Sequence, residues 1–239
     1  MGIRARIPSA IAAILLCHVP LAAYATDIEN RLFLFGGADL ARDSASGWAG
    51  FVAAPFSKLD EDGMRLKIAG GAGRYRYRTG ALASGENEGR YDSAEVMIGR
   101  RVLFDPITLT AYAGLHTESH RLREPDPGNP VSGSRIGIKG AIELYARPWE
   151  HFVATTFASI SSVYTGYQAR AALMRELGSW FAFGIEGGML GNARYSEGRV
   201  GLAGTLIWQR SILTLSGGYA ANSAKGPGAY TTISLYAPL

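Results

Sequence analysis

The chain has 239 residues, 47% of them hydrophobic and 18% charged; this is the length of one large domain or a single barrel, and the balance excludes intrinsic disorder and coiled-coil fibres. Glycine supplies 31 residues, about 13% against a usual 7%, with no three-residue period. Helix-rich folds are therefore disfavoured, since each interior glycine costs a helix roughly 1 kcal/mol relative to alanine. The formal charge is +4, and only four basic residues are lysines (Lys58, Lys67, Lys139 and Lys225), the rest being arginines.

The first element is a leader. Arg4 and Arg6 precede an apolar stretch from Ile7 through Ala23, and Ala23-Tyr24-Ala25 has the small-x-small form of a cleavage site. Residues 1–25 read as a secretory signal peptide, broken by His18 and Pro20 and too short to span a bilayer as a helix. The only cysteine, Cys17, falls inside it, so the mature part 26–239 has no disulfide framework. Without Arg4 and Arg6 the charge falls to +2, which is no footprint for nucleic acid.

From residue 26 onward, period-two alternation dominates. Between 135 and 147, Ile136, Ile138, Gly140, Ile142, Leu144 and Ala146 share one parity, while Arg135, Lys139, Glu143, Tyr145 and Arg147 share the other. Successive side chains on a strand point to opposite faces, so one face is apolar and the other polar. The same reading predicts about twelve strands, at 32–41, 46–56, 64–77, 90–102, 107–119, 134–147, 151–163, 165–177, 180–190, 193–207, 211–221 and 228–237. The links 57–63, 103–106, 148–150, 178–179 and 208–210 are short and fall at one end, whereas the longest, 78–89 and 120–133, fall at the other. Phe56, Phe104, Trp149, Phe152, Trp180, Phe181 and Trp208 sit beside the short turns, where an interfacial girdle belongs.

A soluble antiparallel sandwich also alternates. Its strands average about 5 to 6 residues, whereas tilted membrane strands need about 9 to 11. Predicted strands of ten or more therefore favour an all-β fold: a transmembrane antiparallel up-and-down β-barrel of about twelve strands, occupying 26–239 as one domain. A sheet in hydrocarbon must close on itself.

Several segments are similar to the cellulose biosynthesis protein S (BcsS) family. They are Phe35-Gly-Gly-Ala-Asp-Leu-Ala-Arg-Asp-Ser44, Gly70-Gly-Ala-Gly-Arg-Tyr-Arg-Tyr-Arg-Thr79, Asp126-Pro-Gly-Asn129 with Gly133-Ser-Arg-Ile-Gly-Ile-Lys-Gly140, Tyr167-Gln-Ala-Arg-Ala171 and Gly228-Ala-Tyr230. The resemblance implies an outer-membrane location in a Gram-negative cell and a part in making or exporting cellulose, and it brings no catalytic residues. The chain departs from the common outer-membrane pattern in ending Tyr236-Ala237-Pro238-Leu239 rather than on an aromatic residue. Since Pro238 cannot donate to a ladder, the last strand is expected to stop near Tyr236.

Three groups of residues are candidates for function. Arg74, Arg76 and Arg78 continue the lipid-facing parity of Met64, Leu66 and Ile68 beyond the apolar band, where forked charge-assisted bonds suit the phosphates of outer-leaflet lipid or lipopolysaccharide. A β-bulge at Gly70–Gly73 would reverse that phase. Tyr75 and Tyr77, on the other parity, are candidates for stacking on a glycan at the mouth, as is Tyr112 lower down. The inward set is Asp39, Arg65, Lys67, Glu95, Arg101, His116, Glu118, Arg135, Lys139, Glu143, Arg170, Glu186, Glu197 and Arg199. Both signs are mixed there, so a self-paired network is expected rather than a field that selects a charged solute.

His116, Glu118 and His120 alternate on one face, but neighbours two apart on a strand are about 6.5 to 7 Å apart, and no Gly-x-Ser-x-Gly elbow is present. Neither catalysis nor a metal or other cofactor is expected. The proline-rich 124–130 stretch reads as a rigid loop able to fold inward as a partial plug. The readings set side by side are a conduit or accessory in polysaccharide export that touches the cellulose chain, an anchor for subunits of a periplasmic synthase complex, a porin-like channel, and a lipid- or glycan-modifying membrane enzyme, which would have to depend on His116 or His120 and has no positive signal in the sequence.

Overall fold

The computed structural model describes residues 30–239, so the expected leader at 1–25 lies outside the described residues. Twelve strands follow in order: β1 (Leu32–Ala41), β2 (Ser44–Ala53), β3 (Gly63–Arg78), β4 (Glu86–Phe104), β5 (Ile107–Leu122), β6 (Gly133–Trp149), β7 (Phe152–Ser161), β8 (Tyr167–Glu176), β9 (Phe181–Asn192), β10 (Tyr195–Trp208), β11 (Ser211–Asn222) and β12 (Gly226–Pro238). Each pairs antiparallel with its chain neighbours, and β12 returns to pair with β1. The architecture is the all-β, up-and-down barrel of twelve strands that the alternation predicts. Among the described residues no strand of the ring is an edge strand, the condition for strands in a medium that offers no water to a free N–H or C=O; only the rim ends of β3 and β6 rise past their shorter neighbours.

The parity of each strand sorts its side chains. Outward positions carry bare aliphatics, with Ile136 79% exposed, Ile138 69% and Leu115 62%, an apolar extent that an aqueous surface rarely carries and that a membrane barrel wears as a belt. The end of the barrel that holds both chain ends of the sheet is termed the base and the opposite end the rim. Exposed Phe56, Trp149, Trp180 and Trp208 mark the base, with Phe152 and Phe181 tucked against Trp149 and Trp180.

Several strand ends differ from expectation. The last strand runs on to Pro238, which stands opposite Phe33. Its ladder with β11 has already ended at Ile212 opposite Tyr236, so the missing N–H faces a side with no partner strand, while Leu239 N bonds Leu32 O on the other side. The strand expected to reach 163 stops at Ser161, where the left-handed conformations of Tyr164 and Thr165 (φ 51° each) form a short 3-10 turn. β2 ends at Ala53, so the link to β3 covers residues 54–62 and is longer than expected, whereas the rim links contract to 79–85 and 123–132. No bulge interrupts β3 from Gly63 to Arg78. The four strands β3 to β6 have 16, 19, 16 and 17 residues against 10 to 14 elsewhere, so this wall stands taller at the rim.

Candidate functional site

The polar interior is layered. At the base, Arg65 is buried and donates to the carbonyls of Lys58, Leu59, Glu61 and Met64 and to Ser57 Oγ at 2.6 to 3.3 Å, and Arg101 also donates to the Leu59 carbonyl. Two inward arginines thus fold the 54–62 link beneath the lumen. Its Leu59 is buried.

At mid-height, Lys67 on β3 reaches into the bore. Its Nζ is 3.0 Å from Glu143 Oε1 on β6 and 3.9 Å from Glu95 Oε1 on β4. It lies 5.3 Å from the ring of Phe35 on β1, 5.2 Å from Tyr112 on β5 and 5.3 Å from Phe157 on β7, within cation–π range. In a ring of twelve, β1 and β7 face each other, so one ammonium and two rings cross the lumen. Lys139 completes this level through Glu95 Oε2 at 2.5 Å.

The other half of the wall has its own network. Arg199 holds Asp39 through two bonds of 2.6 and 2.9 Å and Glu197 through its Nε at 2.5 Å, and Thr232 also donates to Asp39. Arg170 pairs with Glu186, whose second oxygen accepts from Tyr230 at 2.6 Å. Asp39 and Arg199 lie on β1 and β10 and meet only because the sheet closes.

Near the rim, His120 is enclosed by rings. Tyr91 stacks on it at 5.7 Å, while Tyr75 and Tyr164 meet it edge-on at 5.6 and 5.0 Å. Its Nδ1 bonds the Tyr75 hydroxyl at 2.8 Å, and its Nε2 bonds Glu118. Arg135 lies 4.5 Å over the Tyr164 ring. Burial pushes the Tyr164 hydroxyl above its ordinary pKa, keeping the proton it donates to the Ser132 and Gly133 carbonyls. Tyr77 donates to Asp126 and accepts from Asn87, which also holds the Glu124 carbonyl. Val131, Val163 and Tyr164 form a buried cluster, so the 123–132 loop and the turn after β7 pack together at the mouth.

Of the three tyrosines expected at a glycan surface, Tyr112 is 6% exposed and packed against Met97, Ala141 and Phe157, while Tyr75 and Tyr77 have their hydroxyls engaged as described. His116 Nδ1 lies 2.9 Å from Ser161 Oγ, but its Nε2 is 3.8 Å from Glu118, beyond hydrogen-bond reach, and Ser161 Oγ already accepts from Val163 N. That pairing holds the turn after β7, with Ser161 Oγ bridging His116 and the Val163 N–H. Sequence reasoning passed over Tyr91, Phe157, Tyr164, Tyr230, Asn87 and Thr232. Strand parity alone would have placed Tyr91, Phe157, Tyr230 and Thr232 inward; Asn87 fell in the expected 78–89 link and enters a strand only because β4 begins at Glu86, and nothing in the sequence announced the turn that carries Tyr164. On the outside of the tall wall, Arg74, Arg76 and Arg78 are exposed and directed away from Tyr75 and Tyr77.

A sequence model of the family "cellulose biosynthesis protein BcsS" matches residues 33–239, which includes all twelve strands but the first residue. The chain belongs to the BcsS family. No curated protein matches it. Among solved structures, this BcsS-family barrel is similar to an outer membrane channel from Pseudomonas putida F1 (TM-score 0.57, 11% identity, covering 89% of this chain and 98% of the other). It is also similar to LpxR from Salmonella typhimurium (0.52, 10%, 87% and 100%) and to the KdgM porin (0.50, 7%, 87% and 99%). At such identities the likeness speaks for the barrel fold, and the neighbours are outer-membrane-type barrels of both channel and other kinds.

Proposed function

We propose that this BcsS-family chain is a non-enzymatic accessory barrel of the outer membrane that supports cellulose production without passing the polymer through an open bore. The observation that carries this reading is the crossing of the lumen by Phe35, Lys67 and Phe157, with the 54–62 link under it and the packed 123–132 loop and β7 turn above. A porin-like bore would need all three obstructions removed. The outer-membrane setting rests on the apolar belt, the aromatic girdle and the closed sheet.

A docking role for the base is favoured by one further observation. The 54–62 link is held by Arg65 and Arg101, yet its Lys58, Asp60 and Glu61 are exposed, so a braced polar loop faces the side where a periplasmic synthase subunit would approach. Preorganised loops lose little entropy on binding.

Two measurements test the proposal. In planar bilayers the purified barrel is expected to show no steady porin-sized conductance, and a stable ohmic current overturns the closed-bore reading. In cells lacking the chain, cellulose output is expected to fall and to be restored by a His116→Gln, His120→Gln variant that assembles. Failure of that assembled variant to restore output counts against the non-enzymatic reading.

A further inference from the structure

The register of the tall wall places three arginines side by side on its outer face. Arg74 on β3 stands directly opposite Arg90 on β4, and Arg90 directly opposite Arg121 on β5. Directly opposed side chains have Cβ atoms about 4.5 to 5.5 Å apart, and like charges at that distance repel. Asp92 lies 3.4 Å from Arg121; among the described residues, no carboxylate lies within 4.0 Å of the Arg74 or Arg90 guanidinium.

The height of this row on the wall is informative. Three outward steps below it, about 20 Å along the tilted strands, come Ile68, Val96 and Leu115, themselves mutually opposed; Gly70, Ala94 and Thr117 and then Ala72, Asp92 and Ser119 lie between, so the row stands above the apolar belt and past the first polar side chains. On the low wall, the rim ends of β8, β9 and β11 present Tyr167, Met189 and Tyr219 outward and no arginine. The cationic site is one-sided.

We propose that Arg74, Arg90 and Arg121 bind the phosphate groups of lipopolysaccharide at the outer-leaflet boundary, and that this anion neutralises a repulsive row the protein compensates only at Arg121. This rests on the outer-membrane reading given above. Three planar forks on adjacent strands, about 4.8 Å apart, can grip one phosphate from two sides, as point-charge lysines cannot. The arginines sit where the acyl chains would cover the belt beneath and the phosphorylated sugar would meet the row. Arg76 and Arg78 stand higher on β3, but directly opposite Glu88 and Glu86, and Arg76 is 3.9 Å from Asp43, so the cationic field centres on the row of Arg74, Arg90 and Arg121.

The test uses the purified full chain in detergent, with binding of bisphosphorylated lipid A compared with dephosphorylated lipid A and phosphatidylglycerol. Wild type is expected to bind the phosphorylated form at least about tenfold more tightly than the dephosphorylated one, and that preference is expected to vanish in an Arg90→Gln, Arg121→Gln variant. Heat-modifiability on gels shows whether the variant barrel is folded. Equal binding by folded wild type and variant, or indifference to the phosphates, overturns the proposal, and equally tight phosphatidylglycerol overturns the choice of lipopolysaccharide. Membrane fractionation separately tests the location: a chain that binds phosphorylated lipid A yet fractionates elsewhere sinks the outer-membrane reading and leaves the phosphate chemistry standing.

Discussion

The two faces of the same wall treat charge in opposite ways. On the inside of β3 to β6, Lys67, Glu95, Lys139 and Glu143 alternate in sign and meet at 2.5 to 3.9 Å. On the outside of β3 to β5, three arginines stand abreast with a single carboxylate, Asp92, within reach of one of them. The inner face is solved by the protein for itself, because a buried charge without a partner is costly. On the outer face, among the described residues, Arg74 and Arg90 have no carboxylate within 4.0 Å, the gap that the proposed phosphate would fill. The contrast teaches that a barrel's interior charges report on its stability, and its exterior charges on its surroundings.

The largest effect expected from breaking this contrast is at Arg199. Arg199→Met strands Asp39 and Glu197, the latter with a side chain only 1% exposed, and is expected to lower stability by about 3 to 5 kcal/mol, read from the urea midpoint of the folded gel band. Adding Asp39→Asn should return part of the loss. A retained midpoint in Arg199→Met would show that the inner network contributes nothing.

Glycines sharpen the comparison sterically. At inward Gly184 an added Cβ would strike the Leu173 carbonyl, whereas at outward Gly198 it would meet nothing. Gly184→Ala is expected to cost about 1 to 3 kcal/mol by overpacking and Gly198→Ala close to nothing, in the same urea assay. Next in size, Tyr77→Phe removes the bond to Asp126, worth about 1 kcal/mol; the expected readout is faster proteolysis in the 123–132 loop with an unchanged midpoint. Smallest is Arg90→Gln in lipid-free detergent, expected to change stability by less than about 0.5 kcal/mol in the stabilising direction, and less so at high salt. A large destabilisation there would mean that the row is internally satisfied after all.

Much of this was legible from alternation. The parity of Arg135 through Arg147 separates an apolar face from a polar one, and repeating that separation along the chain yields the strand number and which residues share a face. The strand ends were less legible. Pro238 looks like a stop signal, yet it is tolerated because β11 has already run out beside it, a fact about a neighbour rather than about the proline. Ser161 and Val163 continue the alternation of β7, but the turn at Tyr164 ends it. Arg90 and Arg121 carry no local mark that distinguishes them from other surface arginines; only the pairing register sets them beside Arg74.

By itself, then, the sequence determined which side chains share a face, because a strand's period of two is a local property of the backbone and needs no partner. Tertiary structure alone decided which of those side chains meet. Asp39 and Arg199 are 160 residues apart, and Phe35 and Phe157 lie on opposite walls. Such contacts depend on closure and register, which are set by the whole ring of twelve strands at once, and a one-residue slip would turn each slipped strand's face from lumen to lipid.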